Sequence, residues 1–235
     1  MSYTKGVTLW IIGIVKTKQM IFEESIMKQV LAFGDSNTWG LVPGSNPQKR
    51  YPWGVRWTSL LQEKRTDLRV AEEGLCGRTT VFEDGLRPGR KGVKSLEPLL
   101  ESQYPIDGAI LMLGTNDCKT FYNASAFVIG KGIERCIDIL EKYVAPENIL
   151  LVSPIHLGSD VWRPEKDPEF GEGSIATSIE LKEVYESIAK RRGTAFLAAS
   201  DYVTASSVDD EHMDEEGHKI FADVVCKELE KIIGE

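Results

Sequence analysis

Residues 30–40 read VLAFGDSNTWG, and this stretch decides how the rest of the chain is interpreted. An apolar run typical of a buried β-strand leads into the turn Gly34-Asp35-Ser36-Asn37, and polar and glycine residues follow. In a parallel α/β sheet, the carboxyl ends of the strands bind ligands and display reactive side chains. Ser36 is therefore a candidate nucleophile, provided that the chain also supplies a base, a group that orients the base, and donors for an oxyanion.

The composition is that of an ordinary globular protein. The 235 residues are enough for one α/β domain, with 42% hydrophobic and 27% charged residues. The formal net charge of -8, from 28 basic and 36 acidic residues, argues against nucleic acid or an anionic membrane as the main partner. The four cysteines form no Cys-x-x-Cys pair, which predicts reduced thiols in the cytoplasm.

The N-terminal segment has a different character from the rest of the chain. Residues 7–15 read VTLWIIGIV, an apolar run flanked by lysines. It is shorter than the roughly 20 residues that span a bilayer, and no small-x-small cleavage motif follows it. We interpret residues 1–26 as an extension of unknown role, with a targeting signal as the alternative, and residues 27–235 as a single domain.

From residue 28 onward, strand-like runs alternate with helical patterns. Strands are predicted over 28–33, 67–72, 106–113, 148–153 and 194–198, and helices over 55–63, 93–102, 124–143, 174–192 and 217–233. This alternation predicts a flavodoxin-like, three-layer α/β/α fold with a five-stranded parallel sheet. Pro98 is expected to disturb its helix or to mark the first turn. The long Gly- and Pro-containing stretch 158–173 is a candidate rim of a substrate pocket.

Two further blocks follow predicted strands. Gly77 lies in EGLCGRTT (residues 73–80), where a glycine allows close backbone approach and its N–H can point into a site. Asn116 lies in LGTND (residues 113–117), where its side-chain NH₂ can stabilise an oxyanion by roughly 3 kcal/mol. Each block alone is also compatible with a simple turn or an Asx-turn.

The last block, VDDEHMDEEGH (residues 208–218), supplies a candidate base. Asp209 and His212 are three residues apart, so the carboxylate can hold one ring nitrogen and stabilise the imidazolium that forms when the other takes a proton. His218 is the rival base, although Asp214 four residues earlier would give it a simple ion pair. A metal site formed by Asp209, Asp210, His212 and His218 is a less favoured alternative.

Taken together and in this order, the four blocks resemble the SGNH, or GDSL-type, hydrolase superfamily, which is named for Ser, Gly, Asn and His in four separate blocks. The resemblance covers about residues 28 to 233. It implies that Ser36 is the nucleophile, His212 the general base and Asp209 the acid that supports the base. It also implies an oxyanion hole formed by the Ser36 N–H, the Gly77 N–H and the Asn116 side chain.

Within this superfamily, the runs FGDSNTWG (33–40), VRWT (55–58), EGLCGRTT (73–80) and MLGTND (112–117) are similar to the arylesterase and acyltransferase branch. That similarity implies hydrolysis of small-acyl esters, acyl transfer to alcohols or peroxide in some members, a homo-oligomer, and no metal or organic cofactor. Asn37 stands where the family name has Leu. Asn37, Cys76 and Trp39 are the candidate substrate contacts.

The sequence therefore favours a serine esterase with a small-molecule ester as its substrate. Two alternatives stay open: a flavodoxin-like module that binds a small anion or nucleotide without catalysis, and an acyltransferase that prefers alcohols over water. If His212 is the base, His212→Ala lowers turnover by several orders of magnitude, whereas His218→Ala costs little.

Overall fold

The computed structural model describes residues 27–234, so the interpretation of residues 1–26 lies outside the described residues. The strands are β1 (Lys28–Gly34), β2 (Leu68–Gly74), β3 (Gly108–Met112), β4 (Ile149–Ser153) and β5 (Ala195–Ala198). The helices are α1 (Ser36–Trp39), α2 (Trp57–Lys64), α3 (Gly92–Gln103), α4 (Ala126–Leu140), α5 (Glu172–Arg192) and α6 (Glu215–Ile233). None of these helices is long and apolar enough to cross a membrane.

The five strands form one parallel sheet in the order β2-β1-β3-β4-β5, which confirms the predicted fold. Both faces of the sheet are covered, and successive residues of β1 point to opposite faces. Leu31 and Phe33 belong to the core beneath α3, α4 and α5, whereas Val30 and Ala32 belong to the core beneath α2 and α6. This two-sided burial is why β1 reads as a continuous apolar run rather than an alternating one.

The predicted helix starts differ from the observed ones in both directions. α2 and α4 begin two residues later than predicted, at Trp57 and Ala126, whereas α5 and α6 begin two residues earlier, because their capping groups lie further upstream. α5 begins at Glu172 rather than 174, after Gly171, whose N–H donates to Ser174 Oγ at 3.0 Å. α6 begins at Glu215 rather than 217, because the Asp214 carboxylate accepts the Gly217 N–H at 2.8 Å. These polar caps carry no apolar periodicity, so a pattern of buried residues finds the helix body but misses its first turn.

Pro98 lies well inside α3, so the prediction that it marks the first turn is wrong. A proline in a helix interior removes one backbone hydrogen bond. On either side of it, Leu96 and Leu100 are fully buried in the core. Burying a leucine side chain contributes about 1.5–3 kcal/mol, which is enough to offset that loss and keep the helix continuous.

The strand order places a topological switch point at β1. The chain moves from β1 to β2 on one side, and β3 then lies on the other side of β1. In the register, Gly34 pairs with Gly74 of β2 and with Met112 of β3. The segments that leave these three strands therefore begin side by side at the carboxyl edge, where open α/β sheets bind ligands.

Candidate active site

Ser36 lies in a sharp turn from β1 into the one-turn helix α1. A methyl group added to Gly34 would collide with the Thr38 side chain and lie 2.8 Å from the Met112 carbonyl oxygen, so the turn requires glycine. Asp35 caps α1, since its carboxylate accepts the Asn37 N–H at 3.0 Å. Ser36 is therefore the first helical residue rather than the cap, and its hydroxyl is free for other partners.

The structure brings Ser36, His212 and Asp209 together, although the serine lies 176 residues before the histidine. His212 Nε2 lies 2.9 Å from Ser36 Oγ, and His212 Nδ1 lies 2.8 Å from Asp209 Oδ2. When the ring is neutral, Nδ1–H donates to the carboxylate and Nε2 accepts the serine hydroxyl. All three residues are more than 90% buried. This is the geometry that general-base activation of a serine requires.

The segment that carries the histidine, residues 206–214, is called the histidine loop below. Asp209 shapes it as well as orienting the ring. Its Oδ1 accepts the N–H groups of Glu211 at 3.1 Å and His212 at 3.0 Å, and its Oδ2 also accepts the Gly44 N–H at 2.9 Å. These bonds lock the spacing of three residues between Asp209 and His212 into a compact loop rather than a helical turn.

The charges at this site favour a protonated histidine. Burial alone would lower the pKa of His212, but the carboxylates of Glu211 and Asp209 outweigh it and raise that pKa to about 9. Burial pushes the pKa of Asp209 upward, yet the hydrogen bond and charge of His212 hold it below its ordinary value. Burial raises the pKa of Asp35. The carboxylates of Glu211 and Asp209 thus favour the imidazolium form of His212.

The residues proposed for an oxyanion hole lie at the ends of β1, β2 and β3. Within residues 27–234, no group accepts a hydrogen bond from the Ser36 N–H or the Gly77 N–H. Asn116 Nδ2 uses one of its two N–H groups on the Arg78 carbonyl at 3.2 Å, which leaves the second free. Each of these three residues therefore keeps a donor that is available to a ligand at this edge of the sheet.

Gly77 adopts a left-handed conformation with φ +81°, and a methyl group on it would lie 2.5 Å from Arg87 Nη2. The left-handed backbone favours glycine at this position, whereas the contact is with the end of a flexible side chain that can move aside. Its neighbour Cys76 is 7% exposed, and burial raises the pKa of its thiol to about 11, so the thiol is neutral near pH 7. Trp39 is half-buried at the end of α1, with the Arg50 guanidinium 5.5 Å from its ring centroid.

Asn37 braces the site rather than standing free in it. Its Oδ1 accepts the Met213 N–H at 2.9 Å, and its Nδ2 donates to the Glu211 carbonyl at 3.3 Å. Both ends of the amide therefore hold the histidine loop against α1, and the residue is 2% exposed. Sequence reasoning missed this contact, because a brace between segments 176 residues apart leaves no local pattern.

His218 has a structural environment. It is fully buried, its Nδ1 accepts the Trp57 N–H at 3.3 Å, and burial lowers its pKa to about 4. The suggested ion pair with Asp214 is wrong, because that carboxylate caps α6 instead. Over residues 27–234, no group of three or more His, Cys, Asp or Glu side chains is arranged to hold a metal ion.

The loop between β4 and α5, residues 154–171, contains most of the predicted rim and packs on the histidine loop. The contact is centred on Asp210, a non-glycine residue at φ 59°. Its carbonyl accepts the Gly158 N–H at 2.8 Å, and its carboxylate accepts the Asp160 N–H at 2.9 Å and pairs with Lys166 Nζ at 2.7 Å. The loop of residues 154–171 and the histidine loop are therefore joined by hydrogen bonds and an ion pair.

Comparison with known proteins identifies the family to which this fold belongs. A model of the GDSL-like lipase/acylhydrolase family matches residues 32–220. The M. smegmatis aryl esterase is 30% identical, with a TM-score of 0.81 over 87% of this chain and 99% of that one. A carbohydrate acetylesterase from Sinorhizobium meliloti is also 30% identical, with a TM-score of 0.80 over 87% and 99%.

A lipase/acylhydrolase from Enterococcus faecalis, 16% identical with a TM-score of 0.63, covers 87% of this chain and 96% of its own length and shares the fold. The comparison with curated proteins finds no match. The chain belongs to the GDSL-like lipase/acylhydrolase family, since that family's model covers more than half of it. It is a carboxylic ester hydrolase, and the predicted superfamily is confirmed.

Proposed function

We propose that this chain is a serine esterase that hydrolyses small-acyl aryl or alkyl esters through an acyl-enzyme on Ser36. The observation that carries the proposal is the bridging position of His212, 2.9 Å from Ser36 Oγ and 2.8 Å from Asp209 Oδ2. Ser36 and His212 are only 3% and 7% exposed, and this limited access favours short acyl groups. The names of two structural neighbours, an aryl esterase and a carbohydrate acetylesterase, support the same substrate range.

In the proposed mechanism, neutral His212 takes the Ser36 proton as Oγ attacks the ester carbonyl. The tetrahedral oxyanion is held by the N–H groups of Ser36 and Gly77 and by the Asn116 amide, each worth about 3 kcal/mol. Nε2 then returns the proton to the departing alcohol, while Asp209 stabilises the imidazolium. Water activated by the same nitrogen attacks the acyl-enzyme and regenerates the serine hydroxyl.

An alcohol or hydrogen peroxide that enters in place of water would receive the acyl group. The deep burial of Ser36 supports this competing route, because a site that limits water favours nucleophiles that bind in its place. Product analysis with a small ester and added alcohol measures the balance. A transferred-ester fraction that saturates with alcohol indicates a bound acceptor, and one no larger than expected from simple competition with water contradicts it.

The central test uses p-nitrophenyl acetate with the wild type, Ser36→Ala and His212→Ala. We expect both variants to lose turnover by several orders of magnitude while the folded structure, followed by circular dichroism, is retained. Wild-type turnover that survives in both variants would contradict the proposal. The alternative of a noncatalytic anion-binding module requires nucleotide binding with no ester turnover.

We also propose that residues 27–235 form one catalytic domain that works as a homo-oligomer in the cytoplasm. The four cysteines, Cys76, Cys118, Cys136 and Cys226, are free and buried, which supports a reducing compartment. Size-exclusion chromatography with light scattering tests the oligomer, and a monomeric mass at working concentration would rule it out.

A further inference from the structure

Glu211 is a buried carboxylate that the proposed mechanism does not use. The residue is 6% exposed, and its backbone groups are occupied: its N–H donates to Asp209 Oδ1 and its carbonyl accepts from Asn37 Nδ2. Its carboxylate accepts no hydrogen bond from any of residues 27–234. Burial raises the pKa of this carboxyl, and a cationic ligand would offset the free energy that its partly desolvated charge costs.

The carboxylate lies at the reacting end of the histidine. Glu211 Oε1 is 3.6 Å from His212 Nε2, the nitrogen that meets Ser36 Oγ. Its oxygens, unlike Asp35 Oδ2, are not completely shielded from solvent, so a ligand at Nε2 can reach them. An ester bound at Ser36 would therefore approach this carboxylate.

The charges that face Glu211 do not neutralise it. They come from His212 and Asp209 on its own loop, from Lys119 after β3, and from Asp167 on the loop between β4 and α5. Lys119 Nζ is held by Glu169 and lies 3.7 Å from an Asp167 oxygen, so two other carboxylates compensate its charge. The cleft next to Nε2 is left with a negative group that has no fixed cation of its own beyond the histidine.

The direction of the chemistry decides which part of a substrate meets this group. Nε2 protonates the leaving alcohol, so the alcohol oxygen must come to Nε2. Glu211 lies beside the same nitrogen and so faces the alcohol part rather than the acyl part. We propose that Glu211 is a specificity-determining residue that favours esters whose alcohol part carries a positive charge. This inference rests on the proposed esterase function.

The test compares two acetate esters of the same shape that differ by one charge. Acetylcholine carries a trimethylammonium group, and 3,3-dimethylbutyl acetate carries a neutral tert-butyl group in its place. The kcat/KM ratio of the two esters is measured in a pH-stat at about pH 9, near the pKa of His212. Taking the ratio cancels any change in the chemical step that both esters share.

We expect the wild type to prefer the cationic ester by at least about fivefold, the factor for unit charges about 4 Å apart in bulk water, because a partly buried site screens the attraction less. Glu211→Gln keeps the shape of the side chain, and we expect it to bring the ratio to about one. Glu165→Gln is the matched control: it removes one acidic charge from an exposed position on the neighbouring loop and should leave the ratio unchanged.

A wild-type ratio near one, or an unchanged ratio in Glu211→Gln, would overturn the inference. Ser36-dependent hydrolysis of the neutral ester would then leave the proposed function standing. Failure of the wild type to hydrolyse any ester would overturn the proposed function and this inference with it. Tetramethylammonium provides a readout without the variant: competitive inhibition of neutral-ester hydrolysis is expected, and no inhibition would contradict a cation subsite.

Discussion

Replacing Asn37 with leucine tests whether a buried brace, rather than the triad alone, holds the histidine in place. The amide joins α1 to the histidine loop through Met213 N–H to Oδ1 at 2.9 Å and Nδ2 to the Glu211 carbonyl at 3.3 Å. Leucine has a similar shape and makes neither bond. Two hydrogen bonds at about 1 kcal/mol each, plus a buried N–H left unpaired, give a loss of about 2–4 kcal/mol in the free energy of unfolding.

For a domain of this size, that loss lowers Tm by roughly 5–15 °C. Activity should fall further than stability implies, because His212 directly precedes Met213. A displacement of about 1 Å between Nε2 and Ser36 Oγ can cost about a hundredfold in rate. We therefore expect Asn37→Leu to reduce kcat on p-nitrophenyl acetate by about two orders of magnitude at a temperature where the variant is fully folded, with a smaller change in KM.

Gln62 offers a matched control. Gln62 lies in α2, and its amide braces the start of β2 in the same way: Oε1 accepts the Val70 N–H at 2.8 Å and Nε2 donates to the Leu68 carbonyl at 2.7 Å. Gln62→Leu should lower Tm and leave kcat within a few-fold of the wild type. If Asn37→Leu loses stability but keeps wild-type kcat, or if both variants lose kcat equally, the positioning argument is wrong.

Three further outcomes are expected. His212→Ala should abolish turnover, whereas His218→Ala should lower Tm and keep kcat within a few-fold of the wild type. The reason is that His218, with a pKa of about 4, is a neutral acceptor for a backbone N–H. Equal losses of kcat in the two variants would contradict this. Since the base must be neutral and the pKa of His212 is about 9, kcat/KM should rise with pH up to about 9. Glu211→Gln should move the midpoint of this pH profile to lower pH. A plateau of kcat/KM already reached near pH 6.5 in the wild type would refute the charge argument. Gly77→Ala should cost about 1–2 kcal/mol in unfolding free energy, because residue 77 has φ +81°. It should also reduce kcat by displacing an oxyanion donor. Wild-type kinetics in a normally folded variant would exclude that donor.

Contacts between Asp210 and the loop of residues 154–171 stabilise the conformation of the histidine loop. A non-glycine residue at φ 59° lies between Asp209 and His212, held by Lys166 at 2.7 Å and by the Asp160 N–H at 2.9 Å. A left-handed conformation is costly for a residue with a side chain, so it persists because these contacts stabilise it. The histidine loop thus depends on contacts with a neighbouring segment as well as on its own hydrogen bonds.

The candidate nucleophile, acid and base could be predicted from the sequence without coordinates. Ser36, Asp209 and His212 each sit in a short block whose residue types have few other joint explanations, and Asp209 and His212 are close enough in the chain for local geometry to join them. Periodicity likewise predicted the alternating strands and helices, because burial on both faces of the sheet writes continuous apolar runs into the chain. Helix starts were less well predicted, since caps are polar.

Contacts between segments that are distant in the sequence were decided only by the tertiary structure. Asn37 was predicted only as a substrate contact, and the hydrogen bonds of its amide to the histidine loop are visible only in the folded structure. No role was predicted for Glu211, which is one of several acidic residues in its segment of the sequence. Its position 3.6 Å from His212 Nε2 is visible only in the folded structure. By itself, the sequence determined the fold class and the candidate nucleophile, base and acid, because those depend on local pattern and residue chemistry. The brace, the pKa values and the charge of the cleft depend on burial and on distances across the sheet edge, which no local pattern encodes.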